Sequence, residues 1–414
     1  MTQSPSSVLK AKYDFRPDVL DIIIGGKSSI DSNDGFQVQS LSEAHDFIKS
    51  YGYDLENPIE KAEVLGNFHE ALNFIRKHFL QPENPDGLKL EIPRKILELS
   101  DIRELFLMVS FNYPSQASDS QGKALKNWAC SILKVMHTIS HIDKDVRTSY
   151  FPDIQKQIFD GFYKLIHRDS EGNLFLGETE TDPLRVELVA FETKPKKSRN
   201  SMILKLLHKP ENVAEDIFDR VGIRFVTKTP LGALRVVKVL KDKMVVMPPN
   251  IKPSRSRNTL IQIDGFRTHL GEWLVQAERQ EISEEELTAQ LEKTVTPPYV
   301  NPENPHSSEF YRAIQFTCRQ LIKLHNPVYD HLKELKTLGR SKPGHEELLK
   351  TIDRIELKHI QREIRFFYPF EVQIMDRLSA EENERGRSAH SEYKRAQMAT
   401  ALKRVMGSRV DAVR

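Results

Sequence analysis

At 414 residues, with 39% hydrophobic and 29% charged residues, the chain is long enough for two or three domains and a sizeable core. Its 61 basic and 59 acidic residues leave a net charge of +2, which excludes a global basic field as the basis of nucleotide or nucleic-acid binding; local clusters must supply it. Two cysteines far apart in sequence, Cys130 and Cys318, exclude a disulfide framework and a zinc-ligand spacing. No apolar run approaches the roughly 20 residues of a membrane helix, so a soluble cytoplasmic protein with no membrane partner is expected.

Residues 1–40 read as a lead-in. The run Ile22, Ile23, Ile24 precedes Gly25, Gly26, Lys27 and Ser28, but Asp21 stands where the first glycine of a phosphate loop belongs, so a turn after a short strand is expected. From 41 to 170, apolar residues recur at three and four, which predicts an all-α N-terminal domain. It carries the doublet His45-Asp46, and His137 and His141 one helical turn apart with Asp143 close by. The doublet has no matching upstream histidine and downstream aspartate, and the spaced pair lacks the glutamate of a zincin, so these read as surface or core histidines.

Polar, glycine-bearing residues at 169–184 mark an expected domain boundary. Beyond it, 185–194 reads as a strand, and KKSRNSMILKLLHKP as a basic loop entering a helix stopped by Pro210. NVAEDIFDRVGIRFVTK reads as a short helix and a strand, and Pro230 opens another helix. Insertions are expected at 250–305 and 322–362. The first holds a Pro-rich basic stretch with Lys252, Arg255 and Arg257, a strand at TLIQIDGF and a polar helix; between the two insertions lies a strand in EFYRAIQFTCRQLI. Alternating strands and helices predict an α/β or α+β layer.

Phe366, Tyr368, Phe370, Val372 and Ile374 alternate with Glu371 and Gln373, the period-two signature of a half-buried strand with an acid and an amide on its polar face. A helix carrying His390, Tyr393 and Lys394 follows, and a basic helix or tail occupies 396–414.

Three pieces stand in order: Lys197-Ser198-x-x-Ser201-Met202-x-x-Lys205; Asp219-Arg220-Val221-Gly222-Ile223-Arg224; and Glu371-Val372-Gln373-Ile374 followed by Gly386-Arg387-Ser388-Ala389-His390-Ser391-Glu392-Tyr393-Lys394. Over residues 185–395 they resemble the synthetase domain of RelA/SpoT-type alarmone synthetases. The resemblance implies an α+β fold with a nucleotidyltransferase-like mixed β-sheet flanked by helices. It implies Mg2+ held by Asp219 and Glu371, with the latter assisting the metal or the attacking hydroxyl. Lys197, Ser201, Lys205, Arg224, Gln373, His390 and Lys394 would bind nucleotide, and Tyr311, beside Arg312, would stack on the acceptor base. Phe266, in Asp264-Gly265-Phe266-Arg267-Thr268-His269, is a second candidate for that aromatic.

The implied activity is transfer of pyrophosphate from ATP to a ribose 3′-hydroxyl of a guanine nucleotide. Two carboxylates on neighbouring strands suit this chemistry, because magnesium takes one or two carboxylates and completes its shell with waters and phosphate oxygens. Alternatives are the same chemistry on an RNA 3′ end, or a degenerate protein that senses nucleotide or a partner. Two departures from the family pattern bear on the choice: Met375 replaces the arginine after the E-V-Q-I segment, with Arg377 two residues on, and Pro195 replaces the first arginine of R-x-K-S.

Overall fold

In chain order the helices are α1 (Pro17–Ile23), α2 (Leu41–Tyr51), α3 (Pro58–Phe79), α4 (Arg94–Leu97), α5 (Arg103–Val109), α6 (Ser120–Asp143) and α7 (Phe151–Tyr163). Strands β1 (Ile166–Arg168), β2 (Leu174–Leu176) and β3 (Val186–Thr193) follow, then α8 (Arg199–His208), β4 (Gly222–Thr227) and α9 (Pro230–Asp242). After β5 (Arg257–Asn258) come α10 (Ile263–Glu278), α11 (Glu284–Thr294), β6 (Ile314–His325), α12 (Pro327–Ser341) and α13 (Glu346–Asp353). Then β7 (Glu363–Asp376), α14 (Arg377–Arg385) and α15 (His390–Met406) complete the order. This computed structural model describes residues 17–31, 37–114, 116–117, 119–194, 198–209, 217, 219–295, 312–341, 346–355, 357–385 and 390–407. The expected short helix at the start of NVAEDIF lies outside them.

The chain divides into two compact units. The first comprises Met1–Val146, Lys197–Ile217 and Ser391–Arg414; the second comprises Arg147–Lys196 and Phe218–His390.

In the first unit, helix ends are set by local chemistry. Ser40 accepts from the Glu43 amide at the start of α2, and Gly52 closes that helix at φ 114°, a conformation that favours a residue without Cβ. Asn57 caps α3 with Pro58 following, and Asp119 caps α6. The apolar faces bury Phe68, Ile75, Phe79, Trp128, Ile132 and Ile139 in one core, each such side chain contributing about 1.5–3 kcal/mol. At the end of α15 the carbonyls of Arg404 and Val405 accept from Lys134 Nζ at 3.2 Å and Ser131 Oγ at 2.8 Å, both on α6. Arg199, on α8, donates to Glu70 at 2.5 and 2.9 Å and to both Asp143 carboxylate oxygens.

The second unit is a mixed sheet of seven strands among the described residues, in the order β1-β2-β3-β4-β7-β6-β5. β4 and β7 are parallel, and the other pairings are antiparallel. One sheet face carries Ile223, Phe225, Phe316, Phe370, Val372 and Ile374 into a core shared with Phe159 and Phe162 of α7 and Val236 and Leu240 of α9. The alternation at 366–374 produces this face, because successive strand side chains point to opposite sides.

Three readings are corrected. Ile22 and Ile23 end a helix, α1, rather than forming a strand. The stretch TLIQIDGF is not a strand: the Asn258 side chain accepts from the amides of Leu260 and Ile261, turning the chain so that both pack into the core before α10 starts at Ile263. Residues 166–176, expected as the end of the helical stretch and the start of the polar boundary segment, form the β1–β2 hairpin, turned by Asp169, which accepts from Glu171 and Asn173, and by Gly172 at φ 87°.

Candidate active site

The sheet face opposite the aromatic core is polar, and the strand register assigns its composition. Glu192 on β3 pairs with Arg224 on β4, Arg224 with Gln373 on β7, Gln373 with Gln315 on β6, and Gln315 with Arg257 on β5. Residues paired across strands share a face, so these five form one row. The next row runs from Gly222 to Glu371 to Thr317, with the Lys194 amide donating to the Gly222 carbonyl at 2.8 Å. On the other side of the first row, Val226, Met375 and Ala313 form a small apolar cluster.

Glu371 is 8% exposed, and its carboxylate accepts three hydrogen bonds. Gln315 Nε2 donates to Oε1 at 2.5 Å, while Lys194 Nζ and Gln373 Nε2 donate to Oε2 at 2.9 and 3.1 Å. The ammonium offsets the cost of taking a carboxylate out of water. Gln373 is 7% exposed, and its Oε1 is buried with no hydrogen-bond partner among the described residues. Turning the amide over would point that oxygen at the Glu371 carboxylate, so the assigned orientation holds and leaves an acceptor for a hydroxyl or a water.

The path of Lys194 depends on Gly222. A Cβ at Gly222 would lie 2.6 Å from Lys194 Cδ and 3.1 Å from Cγ, so the lysine stem crosses the strand where there is no side chain. Asp219 sits half-buried in the turn that leads into β4. The Glu371 amide donates to the Val221 carbonyl at 2.9 Å, two residues after Asp219, so the two acidic segments meet at the start of β4. Arg220 between them is buried and donates to Thr148 Oγ1 at 3.3 Å, which anchors the turn. Arg224 Nη1 lies 3.3 Å from Glu192 Oε2.

The remaining expected residues are distributed as follows. Ser201 and Lys205 lie one turn apart on α8 of the first unit, where Ser198 caps the helix and Ser201 Oγ is 2.8 Å from Ser198 Oγ. Lys394 is exposed on α15, also in the first unit. Lys197 and Tyr311 lie outside the described residues, as does the side chain of His390, the first residue of α15. Arg312 is exposed, and its backbone amide and carbonyl pair with the Asn383 side chain at 3.4 and 3.2 Å. Phe266 packs against the second-unit core from α10. Arg377 opens α14 and pairs with Glu381, whereas Met375 is buried.

Lys194, Gln315 and Thr317 did not stand out in the sequence. The only signal for Lys194 was its place at the end of a predicted strand; its partner is fixed by register across two strands. His137, on α6, has its Nδ1 2.7 Å from the Tyr51 hydroxyl and its ring 4.4 Å from that of His141.

Glu371 and Asp219 offer the hard oxygen ligands that Mg2+ takes, and the unpaired Gln373 oxygen suits a metal-bound water, so the residues present fit the ion in donor type. Among the described residues no group of three His, Cys, Asp or Glu converges to hold a metal, and no helix is long and apolar enough to cross a membrane. Comparison with models of protein families, with curated proteins and with solved structures finds no match to the chain.

Proposed function

We propose that the second unit is a magnesium-dependent pyrophosphate transferase of the RelA/SpoT type, built on a nucleotidyltransferase-like sheet, acting from ATP on the ribose 3′-hydroxyl of GDP or GTP. One observation carries the reading: β4 and β7 are parallel neighbours, and the amide of Glu371 bonds to Val221, so the segments holding Asp219 and Glu371 adjoin although about 150 residues separate them. The polar row beside them supplies what a charged substrate needs. Arg224 is a cation for phosphate oxygens, and the Gln373 oxygen is an acceptor for a hydroxyl or a coordinated water.

In this reading Asp219 and Glu371 hold Mg2+. Held there, the ion would supply positive charge against the phosphates. Glu371 also receives the proton of the 3′-hydroxyl as its oxygen bonds to the β-phosphorus of ATP; the bond from the β-phosphorus to the bridging oxygen breaks, and AMP leaves. The helices on the opposite face keep the sheet rigid, which holds Glu371 and Gln373 in place.

A second reading changes the acceptor to an RNA 3′ end. It is favoured by Arg257 at the edge of the polar row, with Arg255 exposed beside it. Incubation of the pure protein with ATP, magnesium and either GDP, GTP or RNA tests both. A pyrophosphorylated guanine nucleotide with stoichiometric AMP supports the first, and a modified RNA end the second. No product with any acceptor, together with no ATP binding, overturns both.

A further inference from the structure

We infer that Lys194 is a displaceable internal counter-ion that occupies Oε2 of Glu371 and is handed to a phosphate when metal and nucleotide bind; this rests on the function proposed above. The first observation is the bond itself, Lys194 Nζ to Glu371 Oε2 at 2.9 Å, between a lysine side chain 27% exposed and a carboxylate side chain 11% exposed. A dication and an ammonium cannot share that oxygen without strong like-charge repulsion, so coordination by Oε2 requires the lysine to leave.

The second observation is that the lysine has a path. Its backbone is pinned at the end of β3 by the bond from its amide to the Gly222 carbonyl, and its stem lies over Gly222, which presents only hydrogen. Four rotatable carbons beyond that pin let the ammonium swing from the strand while the backbone stays fixed. The third observation concerns what remains. Gln315 still holds Oε1 at 2.5 Å and Gln373 Nε2 still donates to Oε2 at 3.1 Å after the lysine leaves, so the carboxylate keeps its position and Oε2 gains the acceptor site that the ammonium vacates. Of the two cations in the neighbouring row, Arg224 is 3.3 Å from Glu192 instead, and Arg257 stands on β5 at the far edge of the sheet. Lys194 is therefore the cation that the site releases on loading, and a triphosphate oxygen is the new partner of matching charge.

This makes the order of charges self-limiting. Metal alone must break the Lys194 bond with nothing to receive the ammonium, and so binds weakly; metal with triphosphate gives the ammonium a new partner.

The test measures Mn2+ binding to the full chain by electron paramagnetic resonance, without nucleotide, and separately ATP binding with Mn2+ and with chelator. Lys194→Met keeps the stem over Gly222 and removes the charge. It is expected to bind Mn2+ about tenfold more tightly than wild type, the scale of one lost charge-assisted bond, and to lose about tenfold of the gain in ATP affinity that Mn2+ gives the wild type. Lys194→Arg is expected to keep ATP binding, and adding Glu371→Gln to Lys194→Met to remove the gain in Mn2+ binding. Gly222→Ala, which crowds the stem off the strand, is expected to tighten Mn2+ binding as well, and supplies the answer should Lys194→Met not fold. Glu371-dependent Mn2+ binding that neither Lys194→Met nor Gly222→Ala strengthens overturns the inference and leaves the proposed function standing. Absence of Glu371-dependent Mn2+ binding in every folded variant overturns both.

Discussion

Lys194 reaches Glu371 by lying across Gly222 of β4, donating from the end of β3, two strands away, to Oε2 at 2.9 Å. One glycine thus decides whether the acid at the centre of the sheet is neutralised. A Cβ 2.6 Å from Lys194 Cδ forces the stem to move, so Gly222→Ala is expected to destabilise the second unit by about 1–3 kcal/mol. Urea unfolding of Gly222→Ala, Lys194→Ala and the double variant checks this. The double variant should be less destabilised than the sum of the singles, because removing the lysine removes the clash.

Replacing Glu371 separates chemistry from folding. Glu371→Gln retains one acceptor and the side-chain volume, so it should keep the fold while lowering pyrophosphate transfer about a hundredfold or more. Glu371→Ala leaves Lys194 and Gln315 without their partner, and is expected to lower stability by about 1–3 kcal/mol as well. Circular dichroism melting beside the transfer assay distinguishes the two variants.

The polar face was legible in part. The aromatic alternation at 366–374 identified β7 and the side on which Glu371 and Gln373 lie. The expected half-burial is corrected: residues 368–376 are buried on both faces, because hydrogen-bonded polar side chains and the Val226–Met375–Ala313 cluster cover the side away from the aromatic core. The register was not legible: nothing in the sequence aligns Gln315 with Gln373, or places Lys194 beside Gly222, since pairing is chosen by the whole sheet. The run Leu260-Ile261-Gln262-Ile263 looked like a strand because its apolar residues are β-branched or large, yet the Asn258 side chain turns the chain there and leaves Leu260 and Ile261 as core pegs. The β1–β2 hairpin was hidden by its polar turn, since a strand of three residues carries too little alternation to register.

Arg199 ties α8 to α3 and α6 through Glu70 and Asp143. Its side chain is 40% exposed, so solvent screening reduces what the pairs contribute. Arg199→Ala is expected to destabilise the first unit by about 1–2 kcal/mol, with the effect shrinking in high salt. Thermal melts at low and high salt check the direction.

Burial, reinforced by the nearby His141, lowers the His137 pKa from 6.5 to about 4. The unfolded chain therefore binds more protons than the native one between these values. The stability that this group contributes is fully present above pH 6.5 and is lost as pH falls toward 4, by about 3 kcal/mol. His78 is lowered by burial too and acts with the same sign. Unfolding free energies measured across this range should show a shallower slope in His137→Asn than in wild type; an unchanged slope contradicts the assignment.

The most direct test follows phosphorus through the reaction. Phosphorus magnetic resonance of wild-type protein with ATP, magnesium and GDP or GTP should show a 3′-diphosphate and AMP appearing together. The signals should be lost in Asp219→Asn and Glu371→Gln variants that remain folded. Absence of the 3′-diphosphate from wild-type reactions, or equal product from Glu371→Gln, would contradict the role given to this site.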